Sequence, residues 1–197
     1  MVEKQLIDEM KKYAKENNVP IMQEEGIDFL KEYVKHNNVK KVLEIGTAIG
    51  YSAILMALVD PNIKITTIER DEIRYLEAVK NIKKFNLENR ITLIFNDAEN
   101  VKLKENYDLI FLDAAKAQNK KFFLLFEKNL KPAGTIITDN IYFHGLVNKK
   151  EEEIESKNVR GLVRKIKEYI QFLKENKEYD TIFYELGDGI SISKRKK

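Results

Sequence analysis

The sequence predicts an α/β fold in which helices flank a mostly parallel, seven-stranded sheet. Three observations support this prediction. Between residues 41 and 140, short apolar runs alternate with segments of helical length, which is typical of βαβ units. Two strand-like runs then flank Gly187-Asp188-Gly189, which predicts a C-terminal antiparallel hairpin. The first forty residues instead show helical spacing. An open sheet of this kind binds its ligands beyond the carboxyl ends of the strands.

The N-terminal helices come first. Leu6, Met10 and Tyr13 recur at helical spacing before Pro20 interrupts the pattern, and residues 24–35 form a second short amphipathic segment. We expect residues 1–40 to form a helical cap that presents an apolar face. That face leads us to expect a homodimer.

The remaining residues, 41–197, are predicted to form the core and to complete a single domain with the cap. Asp71 is placed to cap the helix that follows it. The predicted strands are 41–46, 64–69, 90–95, 107–113, 134–140, 179–186 and 190–194, and the predicted helices after the cap are 51–59, 71–85, 120–130 and 158–176.

Composition excludes several classes of protein. The 197 residues contain no cysteine, which rules out disulfides, thiolate zinc sites, iron–sulfur clusters and cysteine nucleophiles. The net charge of +3 is too small to establish a nucleic-acid partner. No apolar run has the length of a membrane span, and the charged N-terminus lacks the core of a signal peptide. We therefore expect a cytoplasmic protein.

The turn after the first predicted strand indicates a ligand site. Gly46 and Gly50 permit a tight turn, and the following helix offers free N–H groups. Tyr51 after Gly50 excludes a P-loop, and the glycine spacing does not match the dinucleotide fingerprint. Glu44 is suited to an ammonium group, and Glu69, about 20 residues after the glycines, to ribose hydroxyls. S-adenosylmethionine fits that set of groups; alternatively, the glycines serve only the turn and Glu69 is a surface acid.

A second candidate site lies after the fourth and fifth predicted strands. Asp113 ends one of these strands, and Asp139 and Asn140 end the other. Adjacent strand ends would bring the three side chains together, and their oxygens suit Mg²⁺. An isolated aspartate at a strand end is more often a cap or a surface acid, so the prediction depends on all three.

Several motifs together show a family resemblance. The segments VLEIGTAIGYSA (42–53), TIER (67–70), FLDAAKAQ (111–118) and TDN (138–140) resemble the metal-dependent class I O-methyltransferases, which include the catechol and caffeoyl-CoA enzymes. The likeness runs from PIMQEEG (20–26) to GDGISIS (187–193), and it is closest to the bacterial tRNA 5-hydroxyuridine methyltransferases. The resemblance implies a Rossmann-like fold, S-adenosylmethionine as cofactor and Mg²⁺ as metal.

The resemblance also implies roles for particular residues. Asp113, Asp139 and Asn140 match the metal ligands, and Lys116, in the spacing D-x-x-K, matches the general base, with Asp113 also counted as catalytic. Lys116 could instead be one of many solvated lysines. Cofactor contacts are expected at Met22, Glu44, Gly46, Ser52, Glu69, Asp97, Ala98 and Asp113.

The acceptor is predicted by resemblance to be 5-hydroxyuridine in tRNA, whose O5 and O4 are adjacent oxygens. A small vicinal diol such as a catechol-like phenol is the alternative, and a nucleotide-binding module without chemistry is a third hypothesis. Arg160, Arg164 and Lys167 form a basic stripe that is first a solvated face and second a phosphate-binding face. Residues 151–155 are mostly acidic and partly cancel the nearby lysines.

The residues after Asn140 also bear on the acceptor. Lys149 and Lys150 lie near the expected mouth of the site. The aromatic side chains of Tyr142, Phe143 and His144 would be able to stack on a flat substrate ring, although core packing is an equally good interpretation.

Overall fold

The computed structural model describes residues 2–196 and confirms the predicted fold class. The fold is α/β, with a seven-stranded mixed sheet, helices at the N-terminus and an antiparallel hairpin at the C-terminus. The chain divides into two compact units: an N-terminal unit that ends at Leu103 and a C-terminal unit that begins at Lys104. That the two constitute one domain stays a prediction. Within residues 2–196, no helix has the length and apolar character needed to cross a bilayer.

The N-terminal unit contains three parallel strands in the order β3-β2-β1. Glu44 on β1 pairs with Thr67 on β2, and Glu69 on β2 pairs with Phe95 on β3, so the carboxyl ends of the strands lie side by side. The elements are α1 (Val2–Glu16), α2 (Glu24–His36), β1 (Lys41–Ile45), α3 (Tyr51–Val59), β2 (Lys64–Glu69), α4 (Glu72–Lys84) and β3 (Ile91–Phe95).

The N-terminal helices and the cap of α4 agree with the sequence. The Asp71 side chain accepts the backbone N–H of Arg74 at 2.9 Å, as a helix cap does. The apolar face of α1 and α2 is covered by the chain itself, since Met10, Leu30 and Val34 are all buried. Those three side chains are therefore not available to a second copy, and the homodimer stays a prediction.

The C-terminal unit contains four strands in the order β4-β5-β7-β6. β4 and β5 are parallel, whereas β7 is antiparallel to both β5 and β6, which confirms the C-terminal hairpin. The elements are β4 (Tyr107–Leu112), α5 (Asn119–Phe126), β5 (Leu130–Asp139), α6 (Lys157–Glu175), β6 (Tyr179–Tyr184) and β7 (Ile190–Arg195).

The predicted boundary region between α5 and β5 is wrong. The helix predicted for residues 120–130 ends at Phe126 and passes through a 3₁₀ turn, and β5 begins at Leu130 instead of 134. Leu130 already pairs with Tyr107, and a register shift follows before Leu109 pairs with Thr135. The irregularity includes Pro132, which has no N–H to donate to the ladder. Sequence periodicity does not reveal such an interrupted strand start.

Candidate functional site

The glycine turn, residues 46–50, connects β1 to α3 in a left-handed conformation. Gly46, Ala48 and Gly50 have φ angles of 97°, 47° and 86°. A Cβ on Gly50 would lie 3.6 Å from Ala78 Cβ, an ordinary contact, so glycine is required there by the backbone angle and not by space. The Gly46 N–H donates to the Ile68 carbonyl at 3.0 Å, which fixes the turn at the end of β2.

Glu44 lies beneath this turn and is fully buried. Ser52 donates its hydroxyl to Glu44 Oε1 at 2.5 Å, and the Thr67 hydroxyl donates to Oε2. Burial raises the pKa of the Glu44 carboxyl to about 7; the two hydroxyl hydrogen bonds lower it, and the nearby Glu69 carboxylate raises it. The structure thus brings Glu44 and Ser52 together, as expected, in a buried network that supports the turn. Their contacts with a cofactor stay a prediction.

Glu69, at the end of β2, joins the strand end to the glycine turn. Its Oε2 accepts the Ala48 N–H at 2.8 Å, and its Oε1 accepts the N–H groups of Arg70 and Asp71, each at 2.9 Å. A carboxylate has about four acceptor positions, so three backbone donors leave room on Oε2 for one more. A ribose hydroxyl is a suitable fourth donor, and the three fixed bonds hold the carboxylate ready for it.

Three other expected cofactor residues lie in the same unit, whereas Asp113, also expected to contact the cofactor, lies in the C-terminal unit. Asp97 follows the end of β3, where its side chain accepts the Glu99 N–H at 3.0 Å and lies 3.3 Å from the Arg70 guanidinium. Ala98 is buried. Met22 is buried before α2, and its Cε would lie 3.0 Å from a Cβ on Gly26. The Arg70–Asp97 pair places Asp97 at the strand end next to that of Glu69.

Sequence reasoning missed two residues that hold the turn. Thr67 donates to Glu44 and also lies 2.5 Å, oxygen to oxygen, from the Thr47 hydroxyl. Asn81 on α4 is buried, and its amide donates to the Ile49 carbonyl at 2.9 Å. A polar residue on the buried face of a helix was the available signal for Asn81; Thr67 resembles any β-branched strand residue.

In the C-terminal unit, the structure brings two predicted metal ligands to neighbouring strand ends. Leu112 pairs with Thr138, so Asp113 and Asp139 follow at the carboxyl ends of paired parallel strands. Asp139 is buried, and Asn140 comes directly after it with a left-handed φ of 56°. Asn140 was predicted to lie within the strand, whereas the strand ends at Asp139.

Two charged groups act on Asp139. Burial raises the pKa of its carboxyl to about 6; the Asn140 N–H and the Lys116 ammonium lower it, and the Asp188 carboxylate raises it. Lys116 begins a 3₁₀ turn after Asp113 and is half-buried. Lys116, the predicted base, therefore interacts electrostatically with Asp139, a predicted metal ligand, and Asp188 acts on the same carboxylate.

These residues fit a hard divalent cation. No group of three or more His, Cys, Asp or Glu side chains within residues 2–196 is arranged to hold a metal, but the predicted set contains two carboxylates and one amide. All three supply oxygen, which Mg²⁺ prefers. Burial of the Asp139 charge is costly, and a cation at its carboxylate would offset that cost.

The basic stripe on α6 contacts the chain's own loop. The Arg164 guanidinium donates to both carboxylate oxygens of Glu151, at 3.2 and 3.1 Å. Arg160 donates to the Ile154 carbonyl at 2.7 Å, and Lys167 to the Lys149 carbonyl at 2.9 Å. The stripe thus holds the segment 149–155 against α6, and each of these cations has a partner before any phosphate binds.

Comparisons with known proteins agree with this fold. The profile of the O-methyltransferase family matches residues 1–196. A caffeoyl-CoA O-methyltransferase of Stellaria longipes is 30% identical over 167 residues, which cover 79% of this chain and 68% of that protein. A Staphylococcus aureus structure, provisionally assigned as a caffeoyl-CoA O-methyltransferase, is 40% identical with a TM-score of 0.90, covering 96% of this chain and 92% of that one.

A third relative was solved with a cofactor product. An O-methyltransferase of Bacillus cereus in complex with SAH is 25% identical, with a TM-score of 0.83, and the match covers 98% of this chain and 91% of that one. The fold and the sites define a Rossmann-like methyltransferase. The chain belongs to the O-methyltransferase family, and it is an S-adenosylmethionine-dependent O-methyltransferase of class I.

Proposed function

We propose that this enzyme transfers the methyl group of S-adenosylmethionine to one of two adjacent oxygens of its acceptor, with Mg²⁺ held by Asp113, Asp139 and Asn140. The placement of Asp113 and Asp139 at the ends of paired strands, with Asn140 next in the chain, carries the proposal. A chelating acceptor suits this site because Mg²⁺ keeps coordination positions for ligands other than protein.

The N-terminal unit supplies the groups for the cofactor. Glu69 offers an acceptor position to the ribose hydroxyls, and the glycine turn allows close approach of the ligand to the backbone. Asp97 and Ala98 are proposed to flank the adenine. The buried Glu44–Ser52–Thr67 network keeps the turn in place while the ligand enters and leaves.

The C-terminal unit supplies the groups for the acceptor. The cation, when bound, would stabilise the negative charge that develops on an acceptor oxygen as it loses its proton. Asp113, Asp139 and Asn140 would hold that cation. Lys116 would take that proton at Nζ, and S-adenosylmethionine, when bound, would supply an activated methyl group to the acceptor oxygen.

Among acceptors with adjacent oxygens, a small vicinal diol is supported by two observations. Relatives such as the Stellaria longipes protein are named for caffeoyl-CoA. The basic stripe, which a large polyanion would use, is occupied by contacts with residues 149–155. The proposed small-molecule acceptor is thus a catechol-like phenol.

The tRNA acceptor is the second candidate, and other residues favour it. Lys149 and Lys150 have exposed side chains, and Tyr142 and Phe143 follow Asn140 as half-buried rings that a base can stack on. For phosphate to reach Arg164, the contact with Glu151 would have to open.

One assay separates the two acceptors. The protein is incubated with methyl-labelled S-adenosylmethionine and Mg²⁺, in one tube with a panel of catechol-type phenols and in another with tRNA that carries 5-hydroxyuridine. We expect a labelled monomethyl ether of a phenol. A digest of the tRNA that contains labelled 5-methoxyuridine, with no labelled phenol, would instead establish the tRNA reaction. No labelled product in either tube, from protein that binds the cofactor, would contradict the chelating-acceptor proposal.

A further inference from the structure

The hairpin turn that precedes β7 contacts the chain that leaves β5. The ladder between these strands pairs Asp139 with Ile190 and then continues beyond both. The Ile141 N–H donates to the Gly189 carbonyl at 3.1 Å, and the Tyr142 N–H donates to the Asp188 carbonyl at 2.9 Å. The residues directly after the proposed metal ligands are therefore fixed by the hairpin turn.

The segment that is fixed in this way, the Asn140–Gly145 loop, has an unusual backbone. Asn140, Phe143 and His144 have φ angles of 56°, 45° and 54°, and Gly145 has one of 74°. Left-handed angles at residues with a Cβ are unfavourable, and they persist only where surrounding contacts impose them. The contacts with the hairpin turn are among those that hold the loop in this conformation.

Asp188 makes the central contact with its side chain. Its Oδ1 accepts the backbone N–H of His144, two residues beyond Tyr142, whose N–H makes the last backbone hydrogen bond to the turn. The side chain is 6% exposed, and His144 Nδ1 lies 3.5 Å from Oδ2. Oδ2 has no hydrogen-bond partner among residues 2–196. A buried carboxylate is costly unless it is paired, and this one is held by the His144 main chain and lies beside the His144 imidazole.

Gly189 contributes through its lack of a side chain. Its φ is 87°, and an added Cβ would lie 2.3 Å from Tyr142 Cδ2 and 2.9 Å from Ile141 Cγ1. The loop therefore packs directly against the backbone of the turn, and no other residue fits at this position.

We infer that Asp188 is a positioning residue: by holding the His144 main chain, it fixes the Asn140–Gly145 loop and thereby sets Asn140 as a metal ligand. This inference rests on the proposed function, because it assigns the loop to the cation and acceptor. Asp188 acts through Asn140 and contacts no reacting atom. Its effect belongs to metal binding and turnover; we expect cofactor binding to stay unchanged, since all the expected cofactor residues except Asp113 lie in the N-terminal unit.

The test compares three variants of the full-length protein. Asp188→Ala removes the acceptor for the His144 N–H, Asp188→Asn keeps an acceptor oxygen of the same shape, and Glu185→Ala removes an exposed carboxylate from the same hairpin. Each is measured for Mn²⁺ affinity by calorimetry without acceptor, for S-adenosylmethionine affinity, and for kcat and KM. Far-UV circular dichroism establishes that each variant is folded.

We expect Asp188→Ala to bind Mn²⁺ about tenfold more weakly, as is usual when a residue that orients a metal ligand is lost. Its kcat should fall at least as far, while S-adenosylmethionine affinity stays within twofold of wild type. Asp188→Asn should recover most of the Mn²⁺ affinity, and Glu185→Ala should match wild type throughout. If Asp188→Ala does not fold, Asp188→Asn is compared with Gly189→Ala. Gly189→Ala displaces the loop and Asp188→Asn does not, so the inference predicts tighter Mn²⁺ binding by Asp188→Asn.

The outcomes separate this inference from the proposed function. Wild type that binds Mn²⁺, together with an Asp188→Ala variant of unchanged Mn²⁺ affinity and kcat, would overturn the inference alone. Equal losses of Mn²⁺ and cofactor affinity in Asp188→Ala would overturn it too, because the effect would then be general. Wild type that binds no Mn²⁺ and turns over in chelator would contradict both the inference and the proposed function.

Discussion

Three acidic side chains near strand ends differ in the partners that their carboxylates have. Glu44 is buried on β1 with two hydroxyl donors, and Glu69 accepts three backbone N–H groups at the end of β2. Asp139 is buried at the end of β5 near the Lys116 ammonium and the Asp188 carboxylate. The first supports a turn, the second presents an acceptor, and the third is suited to a cation.

Glu44 should make stability depend on pH. Its folded pKa of about 7 exceeds the ordinary 4.5, so the folded state binds its proton more tightly than the unfolded state. Stability from this group is present below about pH 4.5 and is lost as the pH rises through about 7, by up to about 3 kcal/mol. Urea unfolding at pH 5 and pH 8 should show that loss in wild type and not in Glu44→Gln. If the free energy of unfolding changed with pH equally in wild type and Glu44→Gln, the pKa of Glu44 would not be raised in the folded state.

Glu69→Ala should weaken S-adenosylmethionine binding by about 10- to 100-fold, since a hydrogen bond to a charged group contributes about 1.5–3 kcal/mol. Glu88→Ala, which removes an exposed carboxylate from the same unit, is the matched control. Isothermal titration calorimetry measures both. An unchanged dissociation constant for Glu69→Ala would contradict the assignment of Glu69 to the ribose.

Asp139→Ala should abolish methyl transfer and leave S-adenosylmethionine affinity within a few fold of wild type. Its carboxylate is proposed to hold the cation, while the cofactor residues lie on other strands. Asp180→Ala removes an exposed aspartate from β6 and should change neither property. Transfer assays and calorimetry on the same preparations check this. If Asp139→Ala lost cofactor binding as well, the metal site would be misplaced.

At the scale of single elements, apolar runs and helical periodicity predicted several helices and strands well. β1, α4 and α6 begin and end within two residues of their predicted limits. The start of β5 could not be predicted, because it depends on the pairing of Leu130 with Tyr107 on another strand. The register then shifts before the regular pairing begins at Leu109 and Thr135. Local patterns report the burial of a face and do not report where a distant partner strand begins.

Two glycines offer a matched comparison of backbone effects. Gly161 lies exposed in α6 with nothing within 4 Å of an added Cβ, so Gly161→Ala should stabilise the protein by about 0.5–1 kcal/mol. Gly50 has room for a Cβ but a φ of 86°, so Gly50→Ala should destabilise it by about 1–2 kcal/mol. Urea midpoints of the two variants give both values. Similar shifts of the same sign would show that φ is not the deciding factor.

At the scale of the whole molecule, the sequence located the strand-end positions of its candidate site residues better than it located the residues that support them. Asp113, Asp139, Asn140 and Glu69 all follow or end strands, so topology alone groups them at strand ends. Thr67, Asn81 and Asp188 could not be found in this way, because each acts through a contact with a residue distant in sequence. Asp188 in particular is indistinguishable from an ordinary turn residue between two glycines.

The charge pattern also could not identify the acceptor from the sequence. The net charge of +3 and the basic stripe on α6 were compatible with a nucleic-acid substrate. In the folded chain, the stripe is paired with the acidic segment that the sequence places beside it, through Arg164 and Glu151 above all. Such pairing between a helix and a loop depends on how the loop folds back, which composition does not reveal.

The most direct test of the metal-dependent mechanism is to remove the metal. Protein treated with chelator and desalted is assayed for methyl transfer to its acceptor, with and without added Mg²⁺, while S-adenosylmethionine binding is measured on the same sample. We predict that transfer is lost, that Mg²⁺ restores it, and that cofactor affinity does not change. Full transfer by metal-free protein would contradict the assignment of Asp113, Asp139 and Asn140 as the ligands of a catalytic cation.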